Sequence, residues 1–331
     1  MNILINSYCN LHCPYCFADP TMKETGAANM TVEDFQKVLD WQRQNGFKEA
    51  RLIGGEPTLA PNFSLFMDIL KNDQNITNIL IFSNMTFGKE IADKILEVNK
   101  FKEVAILANI NEFDLLIPKH KKAILNNINI MYHGLQTFRG IGINIYRPDM
   151  DLTQWENIYS LYPEMHYLRY SIAVPSQATL QDNFDFYEYY HQFQPMLEKL
   201  SHFSAKYKVY IGCDCNNLPI CCYDDDFIIN TMKESGYSLF APADMSPEGA
   251  LHCGYPIIDI QPDLTIAPCF GHHVDEKVKL TDFANNDELM EWAKRVGDEN
   301  GRIARKECLG CIRYKSTGVS CSCKSCHLIE K

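Results

Sequence analysis

The stretch CNLHCPYCFA, residues 9–18, sets three cysteines at C-x3-C-x2-C spacing eight residues into the chain. Cys9, Cys13 and Cys16 are close enough in sequence to ligate one inorganic centre. Cysteine-built metal sites usually take four thiolates. Three protein ligands leave one metal position for something else, and the rest of the sequence has to say what fills it.

Outward from this run, strand-like and helix-like segments alternate. Strands are expected at 2–8, 49–55, 75–84, 103–111, 140–146 and 166–175. Helices are expected at 31–45, 62–72, 89–99, 115–127 and 152–162, with a long one at 184–207 bent at Pro195. Thr31 is placed to cap its helix, with Asp34 three residues on. Six strand–helix units predict an α/β fold with a parallel sheet and right-handed crossovers, a partial (β/α)6 TIM-like barrel. Chemistry in such a fold belongs on the loops after the strands, and the cysteine run follows the first strand.

Composition narrows the class. A net charge of −11 argues against a nucleic-acid binder. No apolar run approaches the roughly 20 residues of a membrane span, and no secretory signal opens the chain. A cytoplasmic protein is expected. Of the fourteen cysteines, three lie within residues 9–16, none within 17–212, and eleven from Cys213 onward. Two clusters at opposite ends indicate metal or redox sites. The tail has short strands expected at 208–212 and 255–260 and a helix at 287–296. The expected division is a barrel over 1–207 and a small Cys-rich domain over 208–331.

Cys9, Cys13 and Cys16, with aromatic Tyr15 before the last cysteine, resemble the signature of the radical S-adenosylmethionine (SAM) superfamily. Gly54-Gly55-Glu56-Pro57-Thr58, after the second strand, resembles the family's GGE motif. The resemblance implies a [4Fe–4S] cluster on the three cysteines, its fourth iron chelated by SAM, and reductive cleavage of SAM to a 5′-deoxyadenosyl radical that abstracts a hydrogen atom from substrate. It also implies that Gly54, Gly55, Glu56 and Pro57 hold the SAM amino group. The polar strand-end residues Ser83, Asn84, Asn109, Asn144, Arg169 and Ser171 are then candidates for the ribose, carboxylate and adenine, Arg169 because guanidinium pairs bidentately with carboxylate.

In the tail, Cys253 and Cys269 resemble the first half of a SPASM/twitch domain, which holds auxiliary [4Fe–4S] clusters. Leu264 stands where that pattern usually has glycine. Cys308, Cys311, Cys321, Cys323 and Cys326 follow with spacing that departs from the usual one. One auxiliary cluster is assigned to Cys215, Cys222, Cys253 and Cys269, and a second to four of the last five. Cys308-x2-Cys311 and Cys323-x2-Cys326 also have zinc-ribbon spacing.

The leading expectation is an enzyme that modifies a peptide or protein by crosslinking or epimerisation, served by an electron donor such as flavodoxin or ferredoxin. The chain opens on its first strand, so the expectation is either a separate leader-binding protein for a leader peptide or a substrate without a leader. A dehydrogenase or epimerase of a sugar or aminoglycoside is the second reading, and a non-enzymatic Fe–S or zinc scaffold the third.

Overall fold

The computed structural model describes residues 1–16, 26–173, 186–213, 222–224, 226–227, 230–231, 258–268 and 277–301. Its strands are β1 (Asn2–Leu4), β2 (Glu49–Ile53), β3 (Asn78–Ser83), β4 (Glu103–Asn109), β5 (Gly140–Ile145), β6 (Tyr167–Ile172), β7 (Tyr210–Cys213), β8 (Ile258–Ile260) and β9 (Ile266–Pro268). Its α-helices are α1 (Val32–Gln44), α2 (Phe63–Asn72), α3 (Lys89–Val98), α4 (Pro118–Gly134), α5 (Thr153–Leu161), α6 (Phe186–His191), α7 (Gln194–Tyr207) and α8 (Asn286–Gly301). The chain divides into two compact units, Met1–Phe138 with Pro256–Val296, and Arg139–Tyr255 with Gly297–Lys331.

In the first unit β1 to β4 are neighbours in chain order and parallel, joined by α1, α2 and α3. β3 buries Ile79, Ile81 and Ser83 and leaves the intervening residues partly exposed, the period-2 pattern of a sheet with one dry face. Thr31 caps α1 by accepting from the Asp34 amide at 3.0 Å. At helical spacing α1 then buries Phe35, Val38, Leu39, Trp41 and Gln42. Phe35 stacks on Phe66 of α2 with ring centroids 4.2 Å apart. Each such buried aromatic contributes roughly 1.5–3 kcal/mol.

Two strands of the C-terminal third belong to this unit. β8 lies parallel to β1, on the side away from β2, and β9 returns antiparallel to β8. The turn between them sets Leu264 at φ 69, the left-handed conformation that favours glycine. Trp41 Nε1 donates to the Phe283 carbonyl at 2.9 Å, tying the segment before α8 to α1.

In the second unit β5, β6 and β7 are parallel neighbours. α5 buries Trp155, Ile158 and Tyr159, and α7 buries Met196, Leu197, Leu200 and Phe203. The Tyr159 hydroxyl donates to the Tyr167 carbonyl at 2.5 Å, and its ring meets Phe203 edge-on at 5.1 Å. Burial raises the Tyr159 pKa above its ordinary value. The helix expected over 184–207 is two helices, because Pro195 sits in the first turn of α7, where its missing N–H costs nothing.

The architecture is mixed α/β, with parallel strands and crossover helices as in a partial TIM-like barrel. Among the described residues no helix is long and apolar enough to cross a membrane.

Candidate active site

The chain leaving β1 stays alongside the chain leaving β2. Ile5 N donates to Ile53 O at 3.0 Å, Gly55 N to Asn6 O at 3.2 Å and Glu56 N to Tyr8 O at 2.9 Å. The buried Asn6 side chain reinforces this seam, its Nδ2 donating to Glu56 O at 2.9 Å and Tyr8 O at 3.2 Å. The seam is too tight for side chains. A Cβ on Gly54 would lie 2.1 Å from Asn6 Oδ1, and one on Gly55 would lie 2.2 Å from Tyr8 O. The two glycines are therefore required by close backbone approach, directly beside Cys9.

Glu56 is 1% exposed, and its carboxylate is engaged inside the protein. Oε1 accepts from Thr58 Oγ1 at 2.6 Å, Ser83 Oγ at 2.9 Å and Thr58 N at 3.3 Å, and Oε2 accepts from Asn84 N at 2.7 Å. Burial raises its pKa, and these donors oppose the rise. The carboxylate caps the short 3-10 helix Pro57–Leu59 and fastens it to the end of β3. Beyond β3 the chain turns through Met85 at φ 64. The buried Asn127 of α4 holds that turn by donating to Met85 O at 2.9 Å and Phe87 O at 2.7 Å.

The three cysteines lie half-buried on the loop after β1, and the Cys16 amide closes a turn onto Cys13 O at 3.0 Å. Cys9 Sγ accepts from Leu11 N at 3.4 Å and Asn84 Nδ2 at 3.6 Å. Cys13 Sγ accepts from Asn111 Nδ2 at 2.9 Å, and the Tyr15 hydroxyl donates to Asn111 Oδ1. Burial pushes the Cys9 thiol up to about 12, against the pull of the Leu11 amide. Burial also raises Cys13, against the Asn111 donor. A bound metal offsets such a penalty by stabilising the thiolate directly.

Of the other predicted residues, Ser83 and Asn84 join this cluster through Glu56. Asn109 ends β4, partly exposed. In the second unit Asn144 and Ser171 face each other in register, and Ser171 Oγ donates to Asn144 Oδ1 at 2.5 Å. Arg169 lies in register between Gly142 and Gly212. Cys222 is buried, and its carbonyl lies 2.9 Å from His191 Nδ1. Cys215, Cys253, Cys269, Cys308, Cys311, Cys321, Cys323 and Cys326 lie outside the described residues. Sequence reasoning missed Asn6, Asn111 and Asn127. The one signal for Asn6 was an asparagine inside the apolar run NILINSY.

Residues 3–144 match the family model of the radical SAM superfamily. This segment is a radical SAM domain. Over 148 residues the chain is 25% identical to GTP 3′,8-cyclase of Haemophilus influenzae strain PittEE, a match covering 44% of this chain and 42% of the cyclase. The chain thus spans less than half the length of that curated relative. Streptococcus suis SuiB bound to precursor peptide SuiA aligns over 95% of this chain and 69% of its own, with a TM-score of 0.58 and 14% identity. The protein anSMEcpe with bound AdoMet and Cp18Cys peptide aligns over 99% of this chain and 93% of its own, with a TM-score of 0.60 and 16% identity. At these identities the likeness is one of fold.

Radical SAM domains use a [4Fe–4S] cluster and SAM. The donor set here fits that pair: three cysteine thiols on one loop, two of them already met by amide donors, beside the Gly54–Gly55 seam. Among the described residues no three cysteine, histidine or carboxylate groups converge as around a single ion. A cube binds each thiolate through a different iron, so it asks for no such convergence.

Proposed function

We propose that this chain is a radical SAM enzyme that takes a hydrogen atom from a peptide or protein side chain and so modifies, crosslinks or epimerises it. The observation that carries the reading is the seam joining the three-thiol loop to Gly54, Gly55 and Glu56. Cys9, Cys13 and Cys16 would hold the [4Fe–4S] cluster with one iron left for SAM. When bound, that pair supplies one-electron cleavage of SAM and the 5′-deoxyadenosyl radical. The Gly54–Gly55 backbone would meet the SAM amino group. Glu56, held by Thr58, Ser83 and Asn84, would keep that backbone in place, and Pro57 would fix the start of the short helix. Tyr15, Asn109, Asn144, Arg169 and Ser171 are assigned to the remainder of the SAM site.

A peptide substrate is supported by the fold shared with SuiB and anSMEcpe across nearly the whole chain. An electron donor of the flavodoxin or ferredoxin kind completes this reading, and the protein would act in the cytoplasm. For 208–331 we retain the auxiliary-cluster domain. Its support is the turn at Leu264, which takes the left-handed φ that glycine favours; the β8–β9 hairpin itself extends the sheet of the first unit beside β1. The second reading, a small-molecule substrate, is favoured by the cyclase match over 148 residues.

The test is anaerobic reconstitution, with iron and zinc content measured and 5′-deoxyadenosine assayed after dithionite and SAM are added, with candidate peptides present and absent. About 12 Fe per chain, with deoxyadenosine lost when Cys9, Cys13 and Cys16 are changed to Ala, is the expected result. About 4 Fe plus zinc would make the tail a structural zinc module. A fully loaded protein that makes no deoxyadenosine under any of these conditions is a scaffold.

A further inference from the structure

We infer that Asn111 and Tyr15 form a relay that tunes the reduction potential of the cluster held by Cys13. The inference rests on the reading of Cys9, Cys13 and Cys16 as cluster ligands. Asn111 is 6% exposed and lies two residues beyond β4. Its Nδ2 is 2.9 Å from Cys13 Sγ, close for a donor to sulfur. Asn84 stands 3.6 Å from Cys9 Sγ, so the two contacts differ in strength.

The orientation of the Asn111 amide is set from its other end. A primary amide has one acceptor oxygen and one donor nitrogen. The Tyr15 hydroxyl donates to Asn111 Oδ1, which leaves Nδ2 for the sulfur, and the same hydroxyl also lies within hydrogen-bonding reach of Cys13 itself. Tyr15 sits between Cys13 and Cys16, so the loop that carries the ligands also carries the residue that aims the donor at one of them. Chained hydrogen bonds polarise one another, so the hydroxyl strengthens the N–H···Sγ contact as well as orienting it.

A thiolate-ligated cluster gains negative charge on reduction. An N–H donor at a ligating sulfur stabilises the reduced form more than the oxidised one and raises the potential. Asn111 is thus a positioning and tuning residue. It acts through Cys13, easing delivery of the one electron that the proposed chemistry needs.

The experiment is a redox titration of anaerobically reconstituted full-length protein without SAM, followed by the electron paramagnetic resonance signal of the reduced cluster. The relevant signal is the one missing from the variant with Cys9, Cys13 and Cys16 changed to Ala. Asn111→Leu keeps the volume and removes the donor, and is expected to cut the reduced-to-oxidised ratio at a fixed potential about tenfold, a fall of about 59 mV for one electron. Tyr15→Phe keeps the ring, releases the amide and is expected to shift the midpoint the same way by less. Equal midpoints in wild type and both variants, or an upward shift, overturn the relay. If Asn111→Leu takes up no iron, Asn111→Ala replaces it: a lower midpoint upholds the relay and an unchanged one overturns it. Wild-type protein that takes up no cluster overturns the underlying reading, a result distinct from equal midpoints.

Discussion

Ser83, the last residue of β3, donates through Oγ to the buried Oε1 of Glu56 at 2.9 Å, joining the ends of β2 and β3. Every donor around that carboxylate needs an acceptor. Glu56→Gln replaces one oxygen by an NH2, which must then face an N–H or O–H donor in either orientation. The expected cost is about 1–3 kcal/mol, read as a lower urea midpoint for the iron-free protein. Affinity for SAM should fall in the reconstituted protein, because the glycine seam is attached to the same loop. A variant as stable as wild type would mean that the hydrogen bonds to Glu56 contribute nothing net.

Gly55→Ala should be far more damaging than its size suggests. Its Cβ would meet the Tyr8 carbonyl at 2.2 Å, and backbone cannot step aside as a flexible side chain can. The displaced segment leads directly into Cys9, so iron uptake and SAM binding should both fall, the latter by tenfold or more, about 1.4 kcal/mol. Gly88→Ala is the control, because nothing lies within 4 Å of its Cβ position and its φ is negative. Normal iron uptake by Gly55→Ala would show that the seam yields.

Asn127 offers a third test, away from the cysteines. It is 1% exposed and donates to two carbonyls of the turn after β3. That turn holds Met85 in the left-handed region, which costs a non-glycine residue roughly 1–2 kcal/mol. Asn127→Leu keeps the volume but leaves both carbonyls without their donor, at an expected cost of about 2–3 kcal/mol. A urea titration reads the stability. A weaker SAM affinity should accompany it, because Asn84 immediately precedes Met85. Unchanged unfolding would show that the turn holds without α4.

The alternation of strands and helices was legible because each repeats a strong local pattern. The short motifs were legible because glycine pairs and cysteine spacings are rare. What escaped was set by tertiary contact. Asn111, which meets Cys13, stands in the loop beyond β4, where no strand end marks it. Asn127 read as a helix end, and α4 continues to Gly134, because that asparagine is buried against a turn 40 residues away in sequence. The expected first strand ran to Tyr8, while β1 ends at Leu4. The pairing beyond Leu4 is carried by the irregular seam with Gly55 and Glu56, which no periodicity encodes. Leu264 shows the reverse: standing where the family pattern usually has glycine, it adopts the left-handed conformation that glycine favours.

The last prediction concerns pH. Glu97 at the end of α3 pairs with Lys71 at 2.7 Å and Lys94 at 2.8 Å, and Asp68 completes the cluster by pairing with both lysines. Hydrogen bonds from Lys71 and Lys94 hold the Glu97 carboxyl down at about 2. A folded-state value below the unfolded one means the unfolded chain binds the proton first. The pair therefore stabilises fully above about 4.5, and its contribution is lost as pH falls from there through about 2. Glu97→Gln removes a group whose side chain is 41% exposed, so the effect at neutral pH is small and screened by salt. The stability difference between wild type and variant should be largest at neutral pH and low ionic strength, and should shrink towards zero as pH is lowered through that window. Urea midpoints of iron-free protein at several pH values, at low and high salt, give the comparison. A difference that is flat with pH would place the effect of Glu97 in helix packing rather than in its charge.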